Sequence, residues 1–259
     1  QPPPPLFPEG IRVSPTDRRT DTRIRRPCLQ VPTDCIMPEP KKTGRKSKSG
    51  ASAAEKLPVY EPNIPEPTTR ADLLKYWLPL CLDDRTAQKM LWISEGGSKV
   101  TRKEDESVCP YPNRPERFDH SPQVLCKEGL WGIRGYWEVE FSGWVVIGAM
   151  YEGVGRKAQD GPCGLGENEG SWGVGWAGTS YQAWHNSENV DVEAPLTPVI
   201  GVYLDQPAGV LSFFAVTGEE EAQKEAKLLH RYKASFKERL LPGFWVGTNS
   251  HCWIRKKAE

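Results

Sequence analysis

Between residues 135 and 148 the chain reads GYWEVEFSGWVVIG, and its first half alternates apolar and polar positions with period two. Trp137, Val139 and Phe141 fall on one face and Tyr136, Glu138 and Glu140 on the other, the pattern of a strand with one buried and one wetter side. After a break at Ser142-Gly143, the run Trp144-Val145-Val146-Ile147 is apolar on both faces, as in a strand enclosed within two layers. The pattern predicts a hairpin at the centre of a β core, with the other strands arranged around it.

Upstream, Thr69-Arg70-Ala71-Asp72 has the form of a capping box, and Leu73, Leu74 and Trp77 follow at helical spacing until Pro79, which predicts a short helix laid on the core. A brief strand and turn at 80–84 precede a hairpin over 89–102, and a polar loop over 103–122 leads into a strand at 123–126. Downstream, 152–170 reads as a Gly-rich loop. Residues 171–176 read as a strand with Trp172, Val174 and Trp176 on one face, and 181–184 as its antiparallel partner. Residues 199–204 and 210–216 flank a turn holding Pro207 and Gly209, so they predict another hairpin. The charged stretch 219–227 is helix-compatible and reads as a loop insertion, while 228–232, 244–247 and 252–254 supply closing strands. Short strands at regular spacing predict an all-β antiparallel sandwich. The ten tryptophans, all at or after Trp77, suit such a core and require no functional explanation.

Composition restricts that core to part of the chain. With 24 prolines and 37% hydrophobic residues in 259, the sequence cannot be packed throughout, and residues 1–67 lack hydrophobic periodicity. They predict a disordered, Pro-rich basic linker, followed by one domain over 68–259. Residues 1–57 hold 12 basic and 6 acidic side chains against 22 and 28 in the remainder, so a neutral total conceals a basic arm on an acidic domain. PPPPLFP at the start can form a polyproline II ligand or a stiff spacer. The cluster Lys41, Lys42, Arg45, Lys46 and Lys48 can contact RNA phosphates, serve as a nuclear import signal or act as a solvated linker; it has no interleaved aromatics for base stacking. Seven scattered cysteines without a CxxC argue against a zinc ribbon and for reduced thiols, hence a cytoplasmic or nuclear protein. No apolar run approaches the roughly 18 residues of a membrane span, so no membrane partner is expected. The chain starts with Gln1 and reads as a fragment.

No catalytic constellation is apparent. Asp119-His120-Ser121 has triad residue types, but neighbours on one extended segment cannot converge as nucleophile, base and orienter. His185, His230 and His251 are isolated and read as surface or hydrogen-bonded histidines rather than metal ligands. The glycines around 153–157 and 164–166 match neither phosphate-binding pattern. Glu138 and Glu140 read as partners of Arg or Lys rather than as an acid and base pair.

Leu82-Asp83-Asp84, Trp137-Glu138-Val139-Glu140 and Leu204-Asp205-Gln206-Pro207, with RPERFDHSPQVLC, SWGVGW and GVYLDQPAGVLSFF around them, resemble in order and spacing the three motifs of a PRY-SPRY domain, the C-terminal module of many tripartite-motif (TRIM) ubiquitin ligases. The resemblance covers 69 to 255. It implies a bent, concanavalin-like β-sandwich whose end loops bind a partner, with a PRY part over 68–125 and a SPRY part over 126–259. It implies a RING, B-box and coiled coil upstream; zinc would be held only there, this chain needing no cofactor, and the coiled coil would make the whole protein a dimer. The same module ends fish immune receptors and stonefish-type pore-forming toxins. Two departures stand out: Asp84 and Gln206-Pro207 replace the usual motif residues, and Gly175 occupies a place where several relatives carry a large side chain.

These readings converge on a noncatalytic module that binds a protein target, in an intact TRIM-type ligase presenting it for ubiquitination in innate immunity. The expected binding residues are Tyr111 and Arg114 in the 103–116 loop, Trp131, Arg134, Arg156, Lys157, and His185, Asn186 and Asn189 in the 185–189 loop. The alternative is RNA binding by the basic linker with the domain assisting.

Overall fold

The computed structural model describes residues 60–104, 107–157 and 161–257. The proline-rich opening, the basic cluster at 41–48 and the disorder and RNA contacts expected there lie outside the described residues. Within them the chain is almost entirely β, and all of it belongs to one compact unit, Pro58–Glu259.

Thirteen strands make two antiparallel sheets among the described residues. The first sheet holds β1 (Leu91–Ser94), β2 (Lys99–Arg102), β4 (Arg134–Ser142), β9 (Val199–Asp205), β10 (Val210–Thr217), β11 (Glu225–Lys233) and β13 (Ser250–Ile254), in the order β1-β2-β13-β4-β9-β10-β11. The second holds β3 (Gln123–Leu125), β5 (Val145–Tyr151), β6 (Ser171–Trp176), β7 (Tyr181–His185), β8 (Glu188–Val192) and β12 (Leu240–Val246), in the order β3-β12-β5-β6-β7-β8. Trp137, Val139 and Phe141 of β4 meet Val145, Ile147, Trp172 and Val174 of the second sheet in one continuous apolar core. The period-two pattern assigned those inward faces correctly.

The central hairpin does not form. β4 pairs with β13 and β9, whereas β5 pairs with β12 and β6, so Ser142, Gly143 and Trp144 carry the chain from one sheet to the other. Periodicity assigns the strands but not their neighbours. Two strands with apolar inner faces can pair edge to edge or face each other across the core, and here burial of both faces selects the second arrangement. The 225–227 end of the charged stretch is strand rather than helix: one 3₁₀ turn, Glu221–Gln223, precedes β11, whose Glu225 already pairs with Thr217.

The outer face of β4 is drier than its sequence suggests. Tyr136 and Glu138 are buried beneath α1 (Arg70–Leu73) and the 3₁₀ turn that follows it. Thr69 caps α1 through a hydrogen bond from the Asp72 amide to its Oγ1 (3.2 Å), as the capping pattern indicates, but the α-helical part is a single turn. Leu73 joins Tyr136, Tyr203 and Phe214 in a second, smaller core. Order also begins earlier than composition indicates: Tyr60 lies over the Arg134 guanidinium (4.9 Å) and Glu66 pairs with Arg231 (2.9 Å). A cation–π contact and one ion pair leave no periodic trace in a sequence.

Candidate recognition surface

Two groups of loops carry the expected binding residues. In the first, Lys157 Nζ donates to the carbonyls of Arg114 (3.1 Å) and Arg117 (2.8 Å) and pairs with Asp119 Oδ1 (2.8 Å). Arg156 donates to the Glu116 carbonyl (3.0 Å) with its guanidinium over Phe118 (5.6 Å), and burial pushes its pKa down. Tyr111 is half-buried under the Arg117 guanidinium (4.7 Å), its hydroxyl pushed up to about 12 by burial and a Cys109 hydrogen bond. The structure thus brings Tyr111, Arg114, Arg156 and Lys157 together, but two of these side chains, Arg156 and Lys157, fasten the 111–119 loop to the 152–157 loop, while Tyr111 packs on Arg117 within its own loop. Arg114 is exposed. Within the Asp119-His120-Ser121 run, Asp119 is held by Lys157 and the Ser121 hydroxyl donates to Gln123 Oε1 (3.0 Å).

The second group lies at one end of the sandwich, around a cleft of about 820 Å³ lined by Trp131, Gln206, Pro207, Lys233, Ser235 and Phe236, among others. Trp131 is 55% exposed between two fixed neighbours: Leu130 pairs with Leu240, and the Gly132 amide donates to Gln206 Oε1 (2.8 Å). Gln206 Nε2 also donates to the Phe236 carbonyl (3.3 Å), so this buried amide joins two walls of the cleft. The Gln-Pro departure from the family motif is therefore a structural element of the cleft. Phe236 meets Trp172 edge-on at 5.1 Å, and Trp172 stacks on His185 at 5.0 Å with 12° between rings.

Arg134, expected to bind a partner, is buried within the domain. Its Nε pairs with Asp205 Oδ2 at 2.7 Å, both side chains are buried, and Tyr60 and Tyr76 flank the guanidinium. The 185–189 loop is also redrawn. His185 ends β7, its Nδ1 2.8 Å from the Ser171 carbonyl oxygen. Asn186 and Ser187 form a two-residue turn with φ of 52° and 64°, and Asn189 lies on β8 opposite Trp184. An Asn-Ser pair is a weak hairpin signal, so β8 was not legible. Phe236, Lys233 and Ser235 were missed because they meet Trp131 only through the fold.

Gly175 is buried, and a Cβ there would overlap the Val145 carbonyl oxygen. A pocket built on a large side chain at this position does not transfer to this chain. Gly175→Leu is expected to lower stability by about 1–3 kcal/mol, read as a drop in the urea midpoint.

Two family models match this architecture: "SPRY-associated domain" (PRY) over residues 80–130 and "SPRY domain" over 134–256. The chain belongs to the PRY-SPRY family. It is 38% identical over 191 residues to stonustoxin subunit beta of Synanceia horrida, covering 73% of this chain and 26% of that one. It is 33% identical over 188 residues to tripartite motif-containing protein 16 of Mus musculus, covering 72% and 33%. The crystal structure of the TRIM65 PSpry domain shares the fold, with a TM-score of 0.62 at 24% identity over 73% of this chain and 95% of that one. The chain thus spans between a quarter and a third of the length of these curated relatives.

SPRY domains are noncatalytic protein-interaction modules. Among the described residues no group of three or more His, Cys, Asp or Glu side chains is placed to hold a metal, and no helix is long and apolar enough to cross a membrane. The carboxylates of β4 are paired as their sequence suggests, Glu138 with Arg70 (2.6 Å) and Glu140 with Arg255 (2.9 Å).

Proposed function

We propose that this PRY-SPRY domain recognises a protein target at the sandwich end built around the Trp131 cleft, as the target-binding end of a TRIM-type ubiquitin ligase acting in the cytoplasm or nucleus in innate immunity. The observation that carries the reading is the cleft itself: an exposed indole on pinned main chain, beside a Phe236 floor that the core holds rigid. A rigid aromatic anchor loses little entropy on binding, and such anchors dominate interface energies. The relatives named for the tripartite motif support the ligase context.

The test is the affinity of the full chain for a partner recovered with it and then purified. Trp131→Ala is expected to weaken that complex by about 2 kcal/mol, roughly 30-fold, with no change in melting temperature. Unchanged affinity would move recognition to another surface, the 111–119 and 152–157 loops being next. A second reading, the same module ending a pore-forming toxin, is favoured by the 38% identity to stonustoxin subunit beta. Ubiquitin transfer by the whole parent protein, tested with its own upstream segments, separates the two.

A further inference from the structure

The Trp131 cleft also carries information about the sign of its ligand; this inference rests on the reading of the cleft as the recognition site. Its apolar floor is Pro207, Ala208, Val210 and Phe236. Its polar groups divide into spent and free. Gln206 uses its amide oxygen on Gly132 and its amide nitrogen on Phe236. Glu66, the carboxylate of the lining, is paired with Arg231. By contrast, the Trp131 indole N–H, the Lys233 ammonium and the Ser235 hydroxyl make no hydrogen bond or ion pair among the described residues.

Of these free side-chain groups, the ammonium and the indole N–H only donate, and the hydroxyl does both. We propose that the cleft binds an extended acidic peptide segment, a carboxylate side chain pairing with Lys233 while an adjacent apolar or aromatic side chain packs between Trp131 and Phe236. A basic segment would meet Lys233 and a carboxylate already neutralised by Arg231. A nucleic acid would need a row of cations along its backbone, whereas Lys233 is the cation of this lining. The acidic remainder of the domain does not reverse the preference, because at physiological ionic strength charges beyond about 8 Å are largely screened.

The probes are two synthetic peptides of equal length, each with a central Phe, one flanked by Glu and the other by Lys, titrated into the full chain by fluorescence anisotropy. The Glu peptide is expected to bind about fivefold tighter or more. Lys233→Glu, at the exposed end of β11, is expected to invert that order while leaving the melting temperature unchanged. Trp131→Ala is expected to weaken both peptides. Equal binding, a preference for Lys or no binding by either peptide overturns the proposal. So does a single-stranded RNA oligonucleotide that displaces the Glu peptide and loses its own binding in Lys233→Glu, which would make the ligand a nucleic acid. The underlying reading fails separately: a purified partner that binds Trp131→Ala as tightly as the original chain removes the cleft from recognition. A partner lost in Trp131→Ala but indifferent to Lys233→Glu removes only the acidic preference.

Discussion

Replacing Glu138 by Ala is expected to cost the domain about 3–5 kcal/mol of stability, the penalty for leaving a buried charge without its partner. Glu138 is 1% exposed and Arg70 6%, and they share two hydrogen bonds, Nε to Oε1 at 2.6 Å and Nη2 to Oε2 at 3.0 Å. The Tyr136 hydroxyl adds a third at 2.8 Å, and Arg70 also pairs with Glu221. The alanine would leave the buried guanidinium between α1 and β4 with only the more exposed Glu221 carboxylate, and the Tyr136 hydroxyl without its acceptor. Loss of the pair should therefore release α1 together with its Leu73 contact on Tyr136, Tyr203 and Phe214. Chemical denaturation of the single variants and of Arg70→Met with Glu138→Leu checks this. Each single change should be severe, and the double replacement should recover much of the loss, because an apolar pair of similar volume carries no desolvation penalty. Equal damage in the double variant would mean that packing volume, rather than charge pairing, holds the helix.

Trp172→Ala is expected to be as costly, about 3–5 kcal/mol, and to impair recognition as well. The indole is 4% exposed within the main core, where it meets Tyr151 at 5.2 Å and Phe236 at 5.1 Å edge-on and stacks on His185. Removing it opens a void under Phe236 and frees the cleft floor to move. Trp172→Phe should recover part of the stability and more of the binding, since a ring in that place still supports Phe236. Thermal melts and partner affinity, measured on the same preparations, check both effects. Full binding in a destabilised Trp172→Ala would show that the floor needs no support from the core.

The sequence carried the strands and their inward faces. Alternation in 137–141, the paired aromatics of 172–176 and the Pro-Gly turn before β10 are local patterns, and each was legible because one face of a strand must be apolar. Motif order carried the family. Neighbour relations were not legible. That β4 and β5 lie in different sheets, that Arg134 is buried against Asp205, and that Glu138 lies under a helix depend on which faces meet, and a period of two is silent on that. The recognition cleft was half legible. Trp131 was accessible to sequence reasoning, whereas Gln206, Lys233 and Phe236 come from turns and strand ends far along the chain. By itself the sequence determined an all-β antiparallel sandwich, because hydrophobic alternation and turn chemistry act over a few residues. Only the tertiary structure decided which polar side chains are spent inside the domain and which remain for a partner, because burial and ion pairing are settled between segments that only folding brings together.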